Sequence, residues 1–340
     1  MYRVLSVFVC FMTFLIGAVP LFAQIGGGGT ELTMSMLPEH PRPGERVLVS
    51  VESYNIDLNR SEVRWFVNDV LIKTGLGEKN LSLLAGSGGE TKTVRVIALG
   101  ENGATYSSSV VIRPAEVTLL WQAQSYTPPF YRGKALMPYQ GTVLVAAIPS
   151  FARGKGVMPA ESLIYTWTEG DTVVGDSSGK GKNLFVFQGS IPLRPKTISV
   201  LVESPDRTMT AQASIDVAPV APRLLFYEEH PRFGLLPKAL IGSFLLEGDE
   251  TRIDAIPYYF ETGTRTGGDM VYAWQMNYSP LESEKKPFLI LRRSSDTAGR
   301  TNLFLEARST DENKTFQAGE GKLTIEFPKK AFEFNPPVAN

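Results

Sequence analysis

Cysteine is nearly absent. One occurs in 340 residues, Cys10, inside the apolar segment that opens the chain. No pair exists to form an intrachain disulfide, so the fold must hold by packing alone. Histidine is almost as scarce, with only His40 and His230. Zinc needs clusters of cysteine and histidine, and these are missing. Nor does one sign of charge dominate. The 34 Lys and Arg stand against 35 Asp and Glu, a formal net charge of −1. That balance gives neither the basic surface of a nucleic-acid binder nor a polybasic membrane contact. Beyond the N-terminal segment there is no long apolar run, and no long stretch has apolar residues at helical spacing. The chain therefore reads as strands and turns.

The opening segment is a separate object. Met1-Tyr2-Arg3 carries one positive charge, residues 4–22 are almost wholly apolar, and the segment ends Pro20-Leu21-Phe22-Ala23-Gln24. This is the pattern of a secretory signal peptide with cleavage after Ala23. An uncleaved N-terminal membrane anchor is the alternative, because the run is near the lower limit for a spanning helix. No Leu-x-x-Cys lipobox ends it. The expectation is an exported protein, whether extracellular, cell-surface or periplasmic, touching a membrane only through an uncleaved N-terminus. Residues 24–30 follow as a Gly-rich tether. Without residues 1–23 the balance is 33 basic to 35 acidic side chains, a net charge of about −2.

What the chain does have is a repeat. Trp65, Trp167 and Trp274 lie 102 and 107 residues apart in similar segments: Val63-Arg64-Trp65-Phe66, Tyr165-Thr166-Trp167-Thr168 and Tyr272-Ala273-Trp274-Gln275. Before each runs an alternating apolar segment, marked by Val47, Val49 and Val51, by Val143, Val145 and Ala147, and by Ile253 and Ala255. After each come two more, beginning near Leu81 and Val94, Leu184 and Ile198, and Phe288 and Leu303. A closing segment follows: Val110-Val111-Ile112, Ala213-Ser214-Ile215-Asp216-Val217, and Leu323-Thr324-Ile325-Glu326-Phe327. Period two puts one side of each strand against a core. Short strands without intervening helices make antiparallel sandwiches rather than a βαβ sheet.

A tryptophan in a mid-repeat strand every hundred residues gives an all-β chain of three tandem immunoglobulin-like β-sandwiches after the signal segment. They span 31–114, 115–219 and 220–330, with a tail at 331–340. Arg113-Pro114-Ala115 and Ala218-Pro219-Val220-Ala221-Pro222 mark the joints. No disulfide joins the sheets, so Trp65, Trp167 and Trp274 must centre their cores alone.

The Tyr165-Thr166-Trp167 and Tyr272-Ala273-Trp274 triplets resemble the Tyr-x-Trp strand of PKD-type and other bacterial immunoglobulin-like domains. Glu169-Gly170-Asp171 approximates the Gly-Asp turn of that family. Unit three has Gln275-Met276-Asn277 there, and unit one has Val63 where tyrosine is expected. The chain also resembles uncharacterised secreted proteins of small-genome bacteria, on Pro41-Arg42-Pro43-Gly44-Glu45, Val49-Ser50-Val51-Glu52-Ser53-Tyr54 and the run 126–134. The resemblance implies a surface or extracellular setting and supplies no activity.

Chemistry is sparse. Both histidines sit in one tetrapeptide, Glu39-His40-Pro41-Arg42 and Glu229-His230-Pro231-Arg232. Proline favours extended backbone before it, so they read as first-strand corners. The best calcium candidates, at 57–62, 247–250 and 310–313, are polar loops of a kind that sandwiches carry anyway. Gly175-Asp176-Ser177-Ser178-Gly179-Lys180 misses the phosphate-loop spacing by one and reads as a hairpin loop. No metal or cofactor is expected.

The aromatic clusters Tyr126, Phe130 and Tyr131, and Tyr258, Tyr259 and Phe260, are the candidate contacts. Exposed rings could stack on sugars or anchor a partner. Alternatively they cap sandwich ends or pack at domain junctions, and Trp121 reads as core or interdomain packing. The leading expectation is a non-enzymatic rod that spaces or mediates contacts with surface or envelope proteins. A carbohydrate-binding protein is the runner-up, and a secreted hydrolase is a disfavoured third.

Overall fold

The structure is a computed structural model. It describes residues 32–101, 103–154, 156–264, 269–283, 285–293 and 298–329. The signal segment, the tether and the tail at 331–340 lie outside them. Among the described residues there is no α-helix, only strands and four short 3-10 turns, and no helix is long and apolar enough to cross a membrane.

The chain forms three tandem immunoglobulin-like sandwiches. In unit one the first sheet holds Thr33–Leu37, Arg46–Glu52 and Asn80–Leu84. The second holds Val70–Leu76, Glu62–Val67, Lys92–Leu99 and Thr105–Ile112, in that spatial order. Unit two repeats this with Leu184–Gln188, Thr142–Ser150 and Glu116–Ala123 on one side. Thr172–Val173, Ile164–Glu169, Lys196–Glu203 and Thr210–Val217 form the other. Unit three is embellished. Gly234–Leu240 folds back on Arg223–His230, and Ser243–Leu245 crosses to pair in parallel with Ala318–Phe327.

Alternation explains which residues are inside. Val47, Val49 and Val51 are buried while Leu48 between them is exposed. Each unit has its own core cluster, centred on its tryptophan. The tryptophan strand is paired in matching register each time: Trp65 opposite Val96, Trp167 opposite Val200, Trp274 opposite Leu305. A buried indole carries one donor that must be satisfied. Trp65 Nε1 donates to the Glu78 carbonyl at 2.7 Å, Trp167 Nε1 to Lys182 and Trp274 Nε1 to Lys286, each at 2.8 Å.

The residue three places after each tryptophan is also constant in conformation. Asn68, Gly170 and Asn277 have φ of 49°, 58° and 48°, the left-handed region that Gly and Asn tolerate. Each closes a hairpin and donates its N–H across the sheet, to the carbonyls of Thr93, Gly170's partner Thr197, and Asn302, at 2.8–2.9 Å. The two asparagines add a second bond, with Oδ1 accepting from the N–H of Thr93 and Asn302, both at 2.9 Å.

Candidate functional site

The six aromatic residues do not form an open face. None is exposed, and the two groups, over a hundred residues apart in sequence, meet at the joint of units two and three. The Phe130 ring lies 5.2 Å from Tyr227, and Tyr131 meets Tyr258 edge-on at 5.7 Å. Tyr126 N–H donates to the Phe260 carbonyl at 2.9 Å. The Tyr227 and Tyr258 hydroxyls share a buried hydrogen bond of 2.8 Å. Burial pushes the Tyr258 hydroxyl far above its ordinary pKa, with Tyr227 adding to the shift, and a hydrogen bond with Tyr259 raises Tyr131. Phe260 is fully buried in the core of unit three. Of the two readings of these rings, domain-junction packing is the one their geometry matches.

A polar network lies beside the rings. Gln140 is buried with φ of 55°, and its side chain reads the backbone of unit three. Its Nε2 donates to the Asn313 carbonyl at 2.6 Å, and its Oε1 accepts from Phe316 N–H at 2.8 Å. Gln317, also buried, reaches the other way: its Nε2 donates to the Tyr139 carbonyl at 2.9 Å while its Oε1 accepts from Glu261 N–H at 2.8 Å. Glu261 Oε2 accepts from Thr142 N–H of unit two at 3.0 Å, and Oε1 lies 3.5 Å from Lys314 Nζ. No local pattern flagged these glutamines, because their partners are backbone groups far away in sequence, three of the four more than 170 residues off.

The same joint leaves a cleft of about 670 Å3 lined by Trp121, Gln122, Gln124, Ser125, Lys134 and Glu261, among others. Lys134 Nζ sits 3.2 Å from the centre of the Trp121 ring, a cation–π contact. Desolvation lowers the pKa of Lys134. The Ser125 hydroxyl is buried and has no hydrogen-bond partner. Such a cleft can offer hydroxyl and amide hydrogen bonds and one cation to a polar ligand.

His40 Nδ1 shares a 2.6 Å hydrogen bond with the Thr210 hydroxyl of unit two. His230 instead closes its own turn, with Nδ1 accepting from the N–H of Arg232 at 3.1 Å and of Phe233 at 3.3 Å. The shared tetrapeptide therefore has two structural uses. Asp57 and Asp311, from the candidate calcium loops, cap 3-10 turns by accepting from the N–H of Asn59 and Asn313, each at 2.9 Å. Among the described residues no group of three or more His, Cys, Asp or Glu is placed to hold a metal ion. Gly175–Ser177 is a 3-10 turn followed by the Gly179–Lys180 strand.

No protein-family model matches the chain, and no curated protein matches it. Among solved structures it is similar to the three N-terminal domains of the Highly Immunogenic Outer Capsid protein of bacteriophage RB49. That likeness has 13% identity and a TM-score of 0.26 over 88% of this chain and 99% of that one. It is also similar to a central fibronectin-III array of RIM-binding protein, with 12% identity and a TM-score of 0.29 over 88% and 96%. Fibronectin(III)-like modules of Clostridium thermocellum CbhA match with 12% identity and a TM-score of 0.27 over 55% and 94%. Superpositions this loose carry no inference about residues or activity.

Proposed function

We propose that the protein is a non-enzymatic scaffold, three sandwiches in series that space or mediate protein contacts in an exported, surface or envelope setting. The observation that carries this reading is the second joint. There the aromatic clusters and the Gln140, Gln317 and Glu261 network fix one unit against the next. The residues with the most chemical potential thus serve geometry, as a spacer requires. The histidines likewise support a joint and a turn, His40 through the Thr210 hydroxyl of unit two and His230 through the N–H groups of Arg232 and Phe233. The signal-like N-terminus supports export. Kinship with PKD-type domains is part of the same proposal. It is supported by the buried Tyr165 and Tyr272 two residues before tryptophan, and by the turn at Gly170. Capture of partners by the tagged protein from its own cell envelope tests the scaffold. A partnerless protein that turns over a substrate would sink it.

A second reading, carbohydrate binding, is favoured by one feature, the cleft with its unpartnered Ser125 hydroxyl. It moves the runner-up site from the packed rings to Trp121, Gln122, Gln124 and Lys134. A glycan array decides it: the reading requires a bound glycan whose signal is lost on Trp121→Ala and Lys134→Ala. An empty array, or binding indifferent to both changes, removes it.

A further inference from the structure

The threefold repeat supplies its own control for the turn that ends each tryptophan strand. Two residues make that turn in every unit: Asn68-Asp69, Gly170-Asp171 and Asn277-Tyr278. The second place holds aspartate twice, a residue suited to turns. Unit three puts Tyr278 there instead. Its φ is 68°, a left-handed conformation that a bulky side chain disfavours and that aspartate, as at Asp69 with φ of 64°, enters more readily. The Tyr278 ring is 89% exposed, so packing does not offset the strain. A strained backbone that presents an open ring points to a task outside the fold.

The ground beside the turn differs as well. In unit one, Phe66 follows the tryptophan and pairs with Arg95 on the next strand. The Arg95 guanidinium lies 4.8 Å from the centre of the Phe66 ring and reaches Asp69 Oδ1 at 3.0 Å. The turn acid and the arginine thus cover that ring. In unit three the corresponding pair is Gln275 and Phe304, and the turn offers Tyr278 in place of the acid. A groove of about 600 Å3 opens here, lined by Gln275, Tyr278, Asn302, Phe304, Lys322 and Thr324, among others. Asn302 Oδ1 accepts from the Thr324 hydroxyl at 3.0 Å, which leaves the Asn302 amide nitrogen to donate. Lys322 Nζ pairs with Glu320 at 3.2 Å, and as these are the two charged residues of the lining, the groove carries no net charge.

We propose that this groove on the outward face of unit three binds a neutral oligosaccharide. A sugar ring has an apolar face of C–H groups and a rim of hydroxyls. The face stacks on aromatic rings, and the hydroxyls bond to amides, which both donate and accept. Tyr278 and Phe304 supply the rings, and Gln275 and Asn302 supply the amides. The volume falls within the range of small-molecule sites. An acidic sugar would have to break the Lys322 and Glu320 pair to find a cation, so the groove fits an uncharged one. The site is separate from the Trp121 cleft and needs neither that cleft nor the scaffold reading.

The experiment is an array of neutral and acidic oligosaccharides probed with the purified protein, followed by titration calorimetry of each bound sugar. Tyr278→Asn removes the ring and keeps a residue that tolerates the left-handed turn, and Gln275→Ala removes an amide. Tyr54→Ala is the control for an open ring elsewhere, since Tyr54 in unit one is 94% exposed. Trp121→Ala tests the cleft in parallel. Expected is a neutral oligosaccharide whose dissociation constant rises tenfold or more with Tyr278→Asn and with Gln275→Ala, and is unchanged by Tyr54→Ala and Trp121→Ala. The melting temperature of Tyr278→Asn should match or exceed that of the unmodified protein, because the turn is relieved. An empty array, binding of acidic sugars alone, or an affinity indifferent to either groove substitution overturns the proposal. So does a lower melting temperature for Tyr278→Asn, which would give the ring a role in the fold. Binding lost with Trp121→Ala but kept with Tyr278→Asn removes this site and leaves the cleft standing. An empty array together with capture of an envelope partner removes it and leaves the scaffold standing.

Discussion

At the scale of single residues, the three tryptophans combine the largest side chain of each core with one hydrogen bond to a loop carbonyl. The two contributions separate by substitution. Trp→Ala at 65, 167 or 274 should cost about 3–5 kcal/mol through the cavity it leaves. Trp→Phe keeps much of the volume but orphans the carbonyl of Glu78, Lys182 or Lys286, and should cost roughly 1–3 kcal/mol from that loss alone. Denaturant melts of each variant measure both, and a Trp→Phe change as costly as Trp→Ala would contradict the division. The tryptophans were legible because they are large and periodic, whereas their acceptors were not. A second residue-level case is Asp206, whose carboxylate accepts from the Ser204 hydroxyl and from the hydroxyl and N–H of Thr208. These bonds, led by Ser204, lower its pKa to about 2. A depressed acid contributes stability above its unfolded pKa and loses it as pH falls through the folded value. The 204–209 turn should therefore loosen between pH ~4 and ~2. NMR of Thr208 checks this, and Asp206→Asn should abolish the transition.

At the scale of elements, the hairpin after each tryptophan shows how a turn fixes a register. Asn277 holds a left-handed φ and bonds the start of the facing strand twice, through N–H and Oδ1. Asn277→Ala should lose about 1–2 kcal/mol from conformation together with part of a hydrogen bond. Asn277→Gly should recover the conformational part, and thermal melts that rank Gly below Ala would refute this account. Gly77 makes a similar demand in unit one. Its φ is 70°, and a Cβ there would stand 3.3 Å from the Asn59 carbonyl oxygen. The alternating strands were readable because a period of two follows from backbone geometry. The Gly234–Leu240 fold-back and the parallel Ser243–Leu245 crossing were not, since their pairing depends on distant strands rather than on local pattern.

At the scale of the whole molecule, the two joints differ in kind. Units two and three share two buried glutamines, Gln140 bonded across the boundary through both its oxygen and its nitrogen and Gln317 through its nitrogen, together with a packed aromatic cluster. Removing either side chain leaves buried backbone groups unsatisfied, at roughly 1–3 kcal/mol each. In calorimetry units two and three should melt as one transition, and Gln140→Ala or Gln317→Ala should split it in two. Separate transitions in the unmodified protein would refute the coupling. The first joint has the His40 and Thr210 bond and, among the described residues, no buried aromatic cluster of the kind that fixes the second, and it should uncouple more readily.

The sequence by itself determined the fold class, the count of sandwiches and the residues at their centres. Those follow from local rules: side-chain alternation, the volume of tryptophan, the conformations open to Gly and Asn, and the want of cysteine to do the work otherwise. Only the tertiary structure decided what the aromatic clusters do. Tyr126, Phe130 and Tyr131 in one unit and Tyr258, Tyr259 and Phe260 in the next carry no mark that they meet. Contact between them depends on how two finished sandwiches dock, and docking is set by surfaces assembled from residues far apart in the chain.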